Sequence, residues 1–208
     1  MQLRWITPVL FLSSFATAAA PLQLTITAQD NQPIADAVVE LIAPSYPKVP
    51  AKTVDVAQQD LVFQPFVTAI HAGTAVEFPN MDKTRHHVYS FSPAKVFELK
   101  LYAGKPEAPV VFEKPGIVAI GCNIHDYMQA FIYVGQSPLL AVSDSQGVVN
   151  FAEVPAGNYQ LKLWHPWQLQ ELAPQSITVP LASGNFQLSI TRQAKPSKPK
   201  KGFGDNYR

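Results

Sequence analysis

A single cysteine, ten glycines and a charged fraction of only 15% are what this chain of 208 residues has least of, and each shortage excludes something. One cysteine cannot close an internal disulfide, so Cys122 is a buried inert thiol, an intermolecular bridge, or a metal or catalytic ligand, and its neighbours must decide which. Long amphipathic helical patterns are scarce and 19 prolines outnumber the glycines, which favours many short strands joined by stiff loops: an all-β chain. Neither sign of charge dominates, with 16 basic against 15 acidic residues, and no basic face with interleaved aromatics argues for nucleic acid. A hydrophobic content of 47% excludes disorder over most of the length. No apolar run is long enough to span a bilayer. The most apolar stretch, residues 1–20, is interrupted by Pro8, Ser13 and Ser14.

That stretch carries one positive charge at Arg4, an apolar centre and Ala16-x-Ala18 spacing, the pattern of a secretory signal removed after Ala18 or Ala19. No cysteine follows the small residues, which excludes a lipoprotein anchor, and no membrane span is expected once the signal is cut. At the other end, residues 194–208 hold five basic residues and one acidic residue with no apolar period, and are expected to form a disordered cationic tail.

Between these ends, Leu22–Ala28 alternates apolar and polar residues, Gln29–Pro33 turns the chain and Ala37–Ile42 continues as a second strand, a β-hairpin signal. The proline-rich run 43–50 follows as a natural junction. Eight short strand signals then fill 52–135, centred on 61–63, 67–70, 74–78, 87–91, 97–102, 110–112, 117–121 and 130–134, as a Greek-key sandwich or barrel would require. Beyond Leu139, residues 141–147 read as a turn, 148–151 as a strand, 154–157 as a turn and 159–164 as a strong strand.

Chemistry concentrates in one run. Cys122-Asn-Ile-His125-Asp-Tyr-Met128 places a thiol, an imidazole and a thioether within seven residues, between a strand that ends at Cys122 and one that leaves from Gln129. On so tight a loop the three can converge on a point. Alone, Cys122 would read as a small buried hydrophobe, Met128 as core filling and His125 as a surface residue; their joint spacing favours a metal. Electron-transfer copper uses a trigonal His, His, Cys set with a weak axial Met, and this loop supplies three of those four donors. The second histidine must come from His71, His86, His87 or His165. His71 reads as a solvent-facing imidazole, and His165, within Trp164-His165-Pro166-Trp167, as a packing or hydrogen-bonding residue. Strand alternation puts His86, Val88 and Ser90 on one face and His87, Tyr89 and Phe91 on the other, so only one of the adjacent pair can face both core and metal.

Two segments together resemble the cupredoxins, the type 1 blue-copper proteins of the amicyanin and plastocyanin kind. They are Gly73-Thr-x-Val-x-Phe-x-Asn80-x-Asp82 with His86-x-Val88-x-Ser90, and Pro115-Gly116 through Gly121-Cys122-x-x-His125-x-x-Met128, whose loop has the short amicyanin-like length. The resemblance covers about 52–135 and implies a Greek-key cupredoxin sandwich holding one copper ion on His86, Cys122, His125 and Met128. His87 stands where the family often has an asparagine that bonds to backbone near the cysteine, which makes it a supporting residue or the alternative ligand. The whole chain is similar to periplasmic plastocyanin-like or methylamine-utilisation proteins. Asp30–Leu41 together with Ser143–Leu161 resembles the carboxypeptidase-regulatory-like, or transthyretin-like, β-sandwich, implying a small second sandwich from 21–45 and 137–193 into which 52–135 is inserted.

What the resemblance implies is a periplasmic one-electron carrier, a monomer and not an enzyme, with a cytochrome or periplasmic dehydrogenase as partner. In the family electrons pass through the edge of the second histidine, here His125, within an apolar patch for which Phe78, Pro79 and Met81 are candidates and beside which Asp126 can steer a cationic partner. The competing expectation is a copper-binding or copper-delivery module without a redox partner. Cysteine nucleophile chemistry would leave Met128 without a use, five histidines are too few for multicopper oxidation, and one cysteine is too few for a binuclear copper centre.

Overall fold

The computed structural model describes residues 19–46, 52–181 and 183–197, and these form seventeen strands and no helix. Residues 1–18 of the expected signal, 47–51 of the proline-rich stretch and 198–208 of the basic tail lie outside the described residues. In chain order the strands are β1 (Ala19–Ala28), β2 (Val38–Ile42), β3 (Thr53–Asp55), β4 (Ala57–Gln59), β5 (Val62–Gln64), β6 (Val67–His71), β7 (Thr74–Glu77), β8 (His86–Ser92), β9 (Lys95–Tyr102), β10 (Val110–Phe112), β11 (Gly116–Gly121), β12 (Gln129–Gly135), β13 (Leu140–Val142), β14 (Val148–Pro155), β15 (Gly157–Trp164), β16 (Gln175–Val179) and β17 (Gly184–Leu188).

Two sheets, ordered β14-β1-β17 and β13-β2-β15-β16, enclose a core of Leu22, Leu24, Ile26, Val39, Leu41, Leu161 and their neighbours. Two others, β10-β7-β3 and β6-β12-β11-β8-β9, enclose a second core that includes Val76, Phe78, Val88, Ile120, Cys122, Met128 and Ile132. Consecutive strands change sheet in this half, β7 lying in one sheet and β8 in the other, as a Greek-key arrangement requires. A third, smaller cluster of Val38, Val67 and Tyr133, flanked by Phe66, Phe131 and Trp164, joins the two halves.

Strand alternation explains how one strand serves two cores. In β12, Ala130, Ile132 and Val134 point into the second core while Phe131 and Tyr133 point to the junction. Likewise Val39 and Leu41 of β2 face the first core, Val38 packs at the junction, and Glu40 reaches across to accept a hydrogen bond from Tyr133. A strand covered on both sides reads as a continuous apolar run, which is what Ala130–Val134 is.

The structure corrects two expectations. β1 and β2 are not a hairpin: β1 pairs with β14 and β17, β2 with β13 and β15, and the two face each other across the first core. The connection bends through left-handed backbone at Asn31 and Asp36, which makes an arch between sheets. Residues 141 and 142, where the expected turn of 141–147 begins, belong instead to β13 against β2, and the turn proper is confined to Asp144–Gly147.

Candidate metal centre

The loop between β7 and β8 and the loop between β11 and β12 build one site. Phe78 continues the inward side of β7 after Thr74 and Val76 and is fully buried, stacked on Phe97 at 5.5 Å between ring centroids. Its carbonyl accepts the Tyr102 hydroxyl at 2.5 Å and the Gln58 amide at 3.1 Å, and Gln58 also donates to the Tyr102 oxygen. Burial, partly offset by the Gln58 hydrogen bond, pushes the Tyr102 phenol up to about 12, so it remains a donor. Two residues on, Asn80 ties the loop together: its amide nitrogen donates to the Thr84 and Tyr102 carbonyls, both at 2.9 Å, and its oxygen accepts from Asp82 N at 2.9 Å.

Asp82 then reaches the first histidine. Its carboxylate accepts from His86 Nε2 at 2.9 Å and from the backbone N–H groups of Asp60 and Leu61 at 2.9 and 3.0 Å. Burial acts to raise the carboxyl, but these three hydrogen bonds outweigh it and hold Asp82 below the usual carboxylate range. His86 is fully buried, and its Nδ1 has no hydrogen-bond partner.

On the other side, β11 delivers Cys122 into the core at its end. Met128 N donates to His125 O at 2.8 Å and Cys122 N to Met128 O at 3.2 Å, which closes the loop on itself. Cys122 Sγ lies 3.9 Å from His125 Nδ1, and the His86 and His125 rings are 5.0 Å apart. One donor atom each from His86, Cys122 and His125 falls within 4.8 Å of the others. Met128 is fully buried in the same core cluster as Cys122. His125 is only partly buried, and burial together with the neighbouring His86 lowers its pKa, so its ring stays neutral into more acidic solution than an ordinary histidine.

His87 lies elsewhere. Its Nε2 bonds to the Glu98 carboxylate at 2.8 Å and its ring packs on Tyr89 at 5.4 Å, outside the group formed by His86, Cys122 and His125. Both histidines of the pair are buried, His86 beside Cys122 and His125 and His87 against Tyr89 and Glu98, and the β8–β9 register shifts between His86 and Val88. No bond runs from His87 to backbone near the cysteine. The place beside Cys122 is taken by Tyr89, whose ring sits 3.2 Å from where a Cβ on Gly121 would lie. His71 is half-buried with Nδ1 3.0 Å from Ala72 O, rather than free in solvent. His165, buried in the other half, accepts from Trp167 N and bonds Ala35 O.

The surface around the loops also differs from expectation. Of Phe78, Pro79 and Met81 only Met81 is exposed, because Phe78 follows the inward alternation of β7 and Pro79 is buried beside it. The exposed apolar residue on the metal loop itself is Ile124, 47% exposed. Asp126 is exposed as well.

A buried thiol, a buried imidazole nitrogen without a partner and a second imidazole, with a thioether in the same core, form a donor set that fits copper. The fit is chemical: soft sulfur and borderline nitrogen converge where no hard carboxylate competes, since the Asp82 carboxylate is engaged on the far nitrogen of His86.

No protein-family model matches the chain, and no curated protein matches it either. Among solved structures it is similar to a copper-containing nitrite reductase from Thermus scotoductus SA-01, at 26% identity over 47% of this chain and 26% of that one, with a TM-score of 0.39. A purple cupredoxin from Nitrosopumilus maritimus matches at 21% identity over 41% of this chain and all of the other (100%), with a TM-score of 0.35. Amicyanin from Paracoccus versutus matches at 17% identity over 47% and 97% of the two chains, also with a TM-score of 0.35. The chain thus spans about a quarter of the nitrite reductase, and less than half of it is covered in each match.

Proposed function

We propose that this chain is a periplasmic type 1 copper protein that carries one electron at a time between redox proteins. The observation that carries the proposal is the convergence of one donor atom each from buried His86, buried Cys122 and partly buried His125 within 4.8 Å of one another, with the Nδ1 of His86 lacking any hydrogen-bond partner. His86, Cys122 and His125 would hold the ion, with Met128 as the fourth donor, and copper so held supplies a reversible one-electron couple.

The chain's own residues divide the remaining work. Cys122 and Met128 sit in an apolar core that keeps water from the site. The fixed network from Gln58 through Asn80 to Asp82 presents His86 without rearrangement, which is what a carrier that changes only its charge needs. His125 is partly exposed next to exposed Ile124, where a cytochrome or a dehydrogenase could dock. Export rests on the signal pattern of residues 1–20. The division into a copper domain at 52–135, inserted in a regulatory-like sandwich of 21–45 and 137–193, belongs to the same proposal and is supported by the two separate hydrophobic cores.

Voltammetry of the copper-loaded protein, run beside a challenge with a copper-accepting chelator, tests the carrier reading. A carrier gives a reversible midpoint potential and retains its copper. Ready surrender of the metal without a reversible couple would instead assign a delivery role.

A further inference from the structure

The Asp60–Leu61 connection between β4 and β5 has both residues in left-handed backbone, with φ of 56° and 61°, and contains no glycine. A two-residue hairpin turn of this hand is normally built from Asn-Gly or Asp-Gly, and a bulky leucine there is a genuine outlier. Something outside the hairpin must therefore select it. The two strained residues aim both of their N–H groups at one carboxylate, that of Asp82, whose Oδ2 also takes His86 Nε2. Among the described residues, no lysine or arginine is ion-paired with Asp82.

An ionised carboxylate can only accept, so the histidine nitrogen facing it must carry the proton. The other tautomer would set a bare nitrogen 2.9 Å from a carboxylate oxygen. In the neutral ring the remaining nitrogen, Nδ1, carries the lone pair; it is buried and without a partner, and a second proton there would be a buried donor left unpaired.

We infer that Asp82 is a positioning residue of the site: held by the Asp60–Leu61 turn, its carboxylate locks His86 in the Nε2–H tautomer, turns a bare Nδ1 toward Cys122 and His125, and sets a fixed negative charge behind that ligand. The tautomer part stands on the geometry alone; the charge part rests on the copper reading. A carboxylate behind a ligand favours the more positive, oxidised metal, so its removal shifts the midpoint potential upward.

Two variants separate the effects. In Asp82→Asn, the side-chain oxygen can keep the place shared by Leu61 N and His86 Nε2, so the tautomer stays while the charge is lost. Asp82→Ala removes both. Glu98→Gln, beside His87, is the control. Nitrogen-15 NMR of the metal-free protein reads the His86 tautomer, and voltammetry of the copper form reads the potential. The expected result is Nε2–H in the wild type and Asp82→Asn, loss of that single tautomer in Asp82→Ala, a potential raised in both Asp82 variants, and no change in Glu98→Gln. A single Nε2–H tautomer in Asp82→Ala, or a wild-type potential in Asp82→Asn, would overturn the inference. If Asp82→Ala fails to fold, the wild-type tautomer and the Asp82→Asn potential decide it. Should the wild type bind no copper, the proposed function fails while the NMR comparison still decides the tautomer.

Discussion

Replacing Glu40 by alanine removes the acceptor of three hydrogen bonds where the two halves of the molecule meet: from the Tyr133 hydroxyl at 2.6 Å, Gln136 N at 2.7 Å and Ser137 N at 2.9 Å. Glu40 is 1% exposed, so these donors have little other recourse. A buried donor left without a partner costs about 1–3 kcal/mol, which for three gives a range of about 3–9 kcal/mol. Two effects pull toward the lower end. A cavity of about 330 Å³ lined by Glu40, Tyr133, Gln136 and Lys162 has room for water that can serve the orphaned groups. The substitution also relieves the burial of a carboxylate. The expected loss is therefore about 3–4 kcal/mol. Tyr133→Phe removes a single donor and leaves Glu40 with two, for a loss of about 1 kcal/mol. The Tyr133 phenol is held far above its ordinary range by burial and then by Glu40, so no accessible pH mimics that variant. Urea unfolding followed by tryptophan emission suits the test, because Trp164 packs on Tyr133 at 5.8 Å. A Glu40→Ala loss under about 1 kcal/mol, or a Tyr133→Phe loss equal to it, would mean that Glu40 does not hold the three donors at the junction.

Phe78→Ala empties a fully buried site between the loop of His86 and the sheet that carries Phe97, and thermal melting should report a loss of about 3–5 kcal/mol. A loss near zero would mean that the core collapses around the gap. The metal-free protein should lose stability as the solution is acidified below pH 6.5, the ordinary histidine value: burial, only partly offset by the hydrogen bond to Ala35 O, depresses the His165 pKa in the fold, so the unfolded chain takes up the proton first. That loss levels off below the depressed folded pKa. Urea midpoints at about pH 7.5 and about pH 5 should converge in His165→Gln relative to the wild type, and an unchanged difference would exclude His165 as a source.

What was legible in the sequence was local. Cys122, His125 and Met128 lie within seven residues, and no long-range knowledge is needed to see that one loop between two strands brings them together. All eight strand signals of 52–135 fall on β5 to β12 for the same reason. The failures are non-local or polar. β1 and β2 each alternate as a hairpin would, but alternation does not choose a partner, and both were claimed by strands more than a hundred residues away. β16 and β17 are built largely of Gln, Ser, Thr and Asn around Ile177, Val179, Phe186 and Leu188, too few apolar positions to register as strands. Phe78 is a candidate for the apolar patch because it precedes the His86 loop, whereas strand parity sends it inward. Asp82 was visible only as a member of a pattern. Its role needs the Asp60–Leu61 turn, and nothing in the residues between predicts that two left-handed residues will aim their amides at it. The spacing from Asp82 to His86 was the one local hint.

If His86, Cys122, His125 and Met128 hold one copper ion, Cys122 binds it as a thiolate, which has a spectroscopic signature. Titrating the purified mature protein with Cu(II) while recording its visible spectrum reads that signature. The expected result is an intense thiolate-to-copper band that saturates at one equivalent, disappears in Cys122→Ser and His86→Ala, and survives in His87→Ala. A protein that stays colourless would hold no copper on Cys122, and one that loses its colour only in the His87→Ala variant would place the ligand at His87 instead of His86.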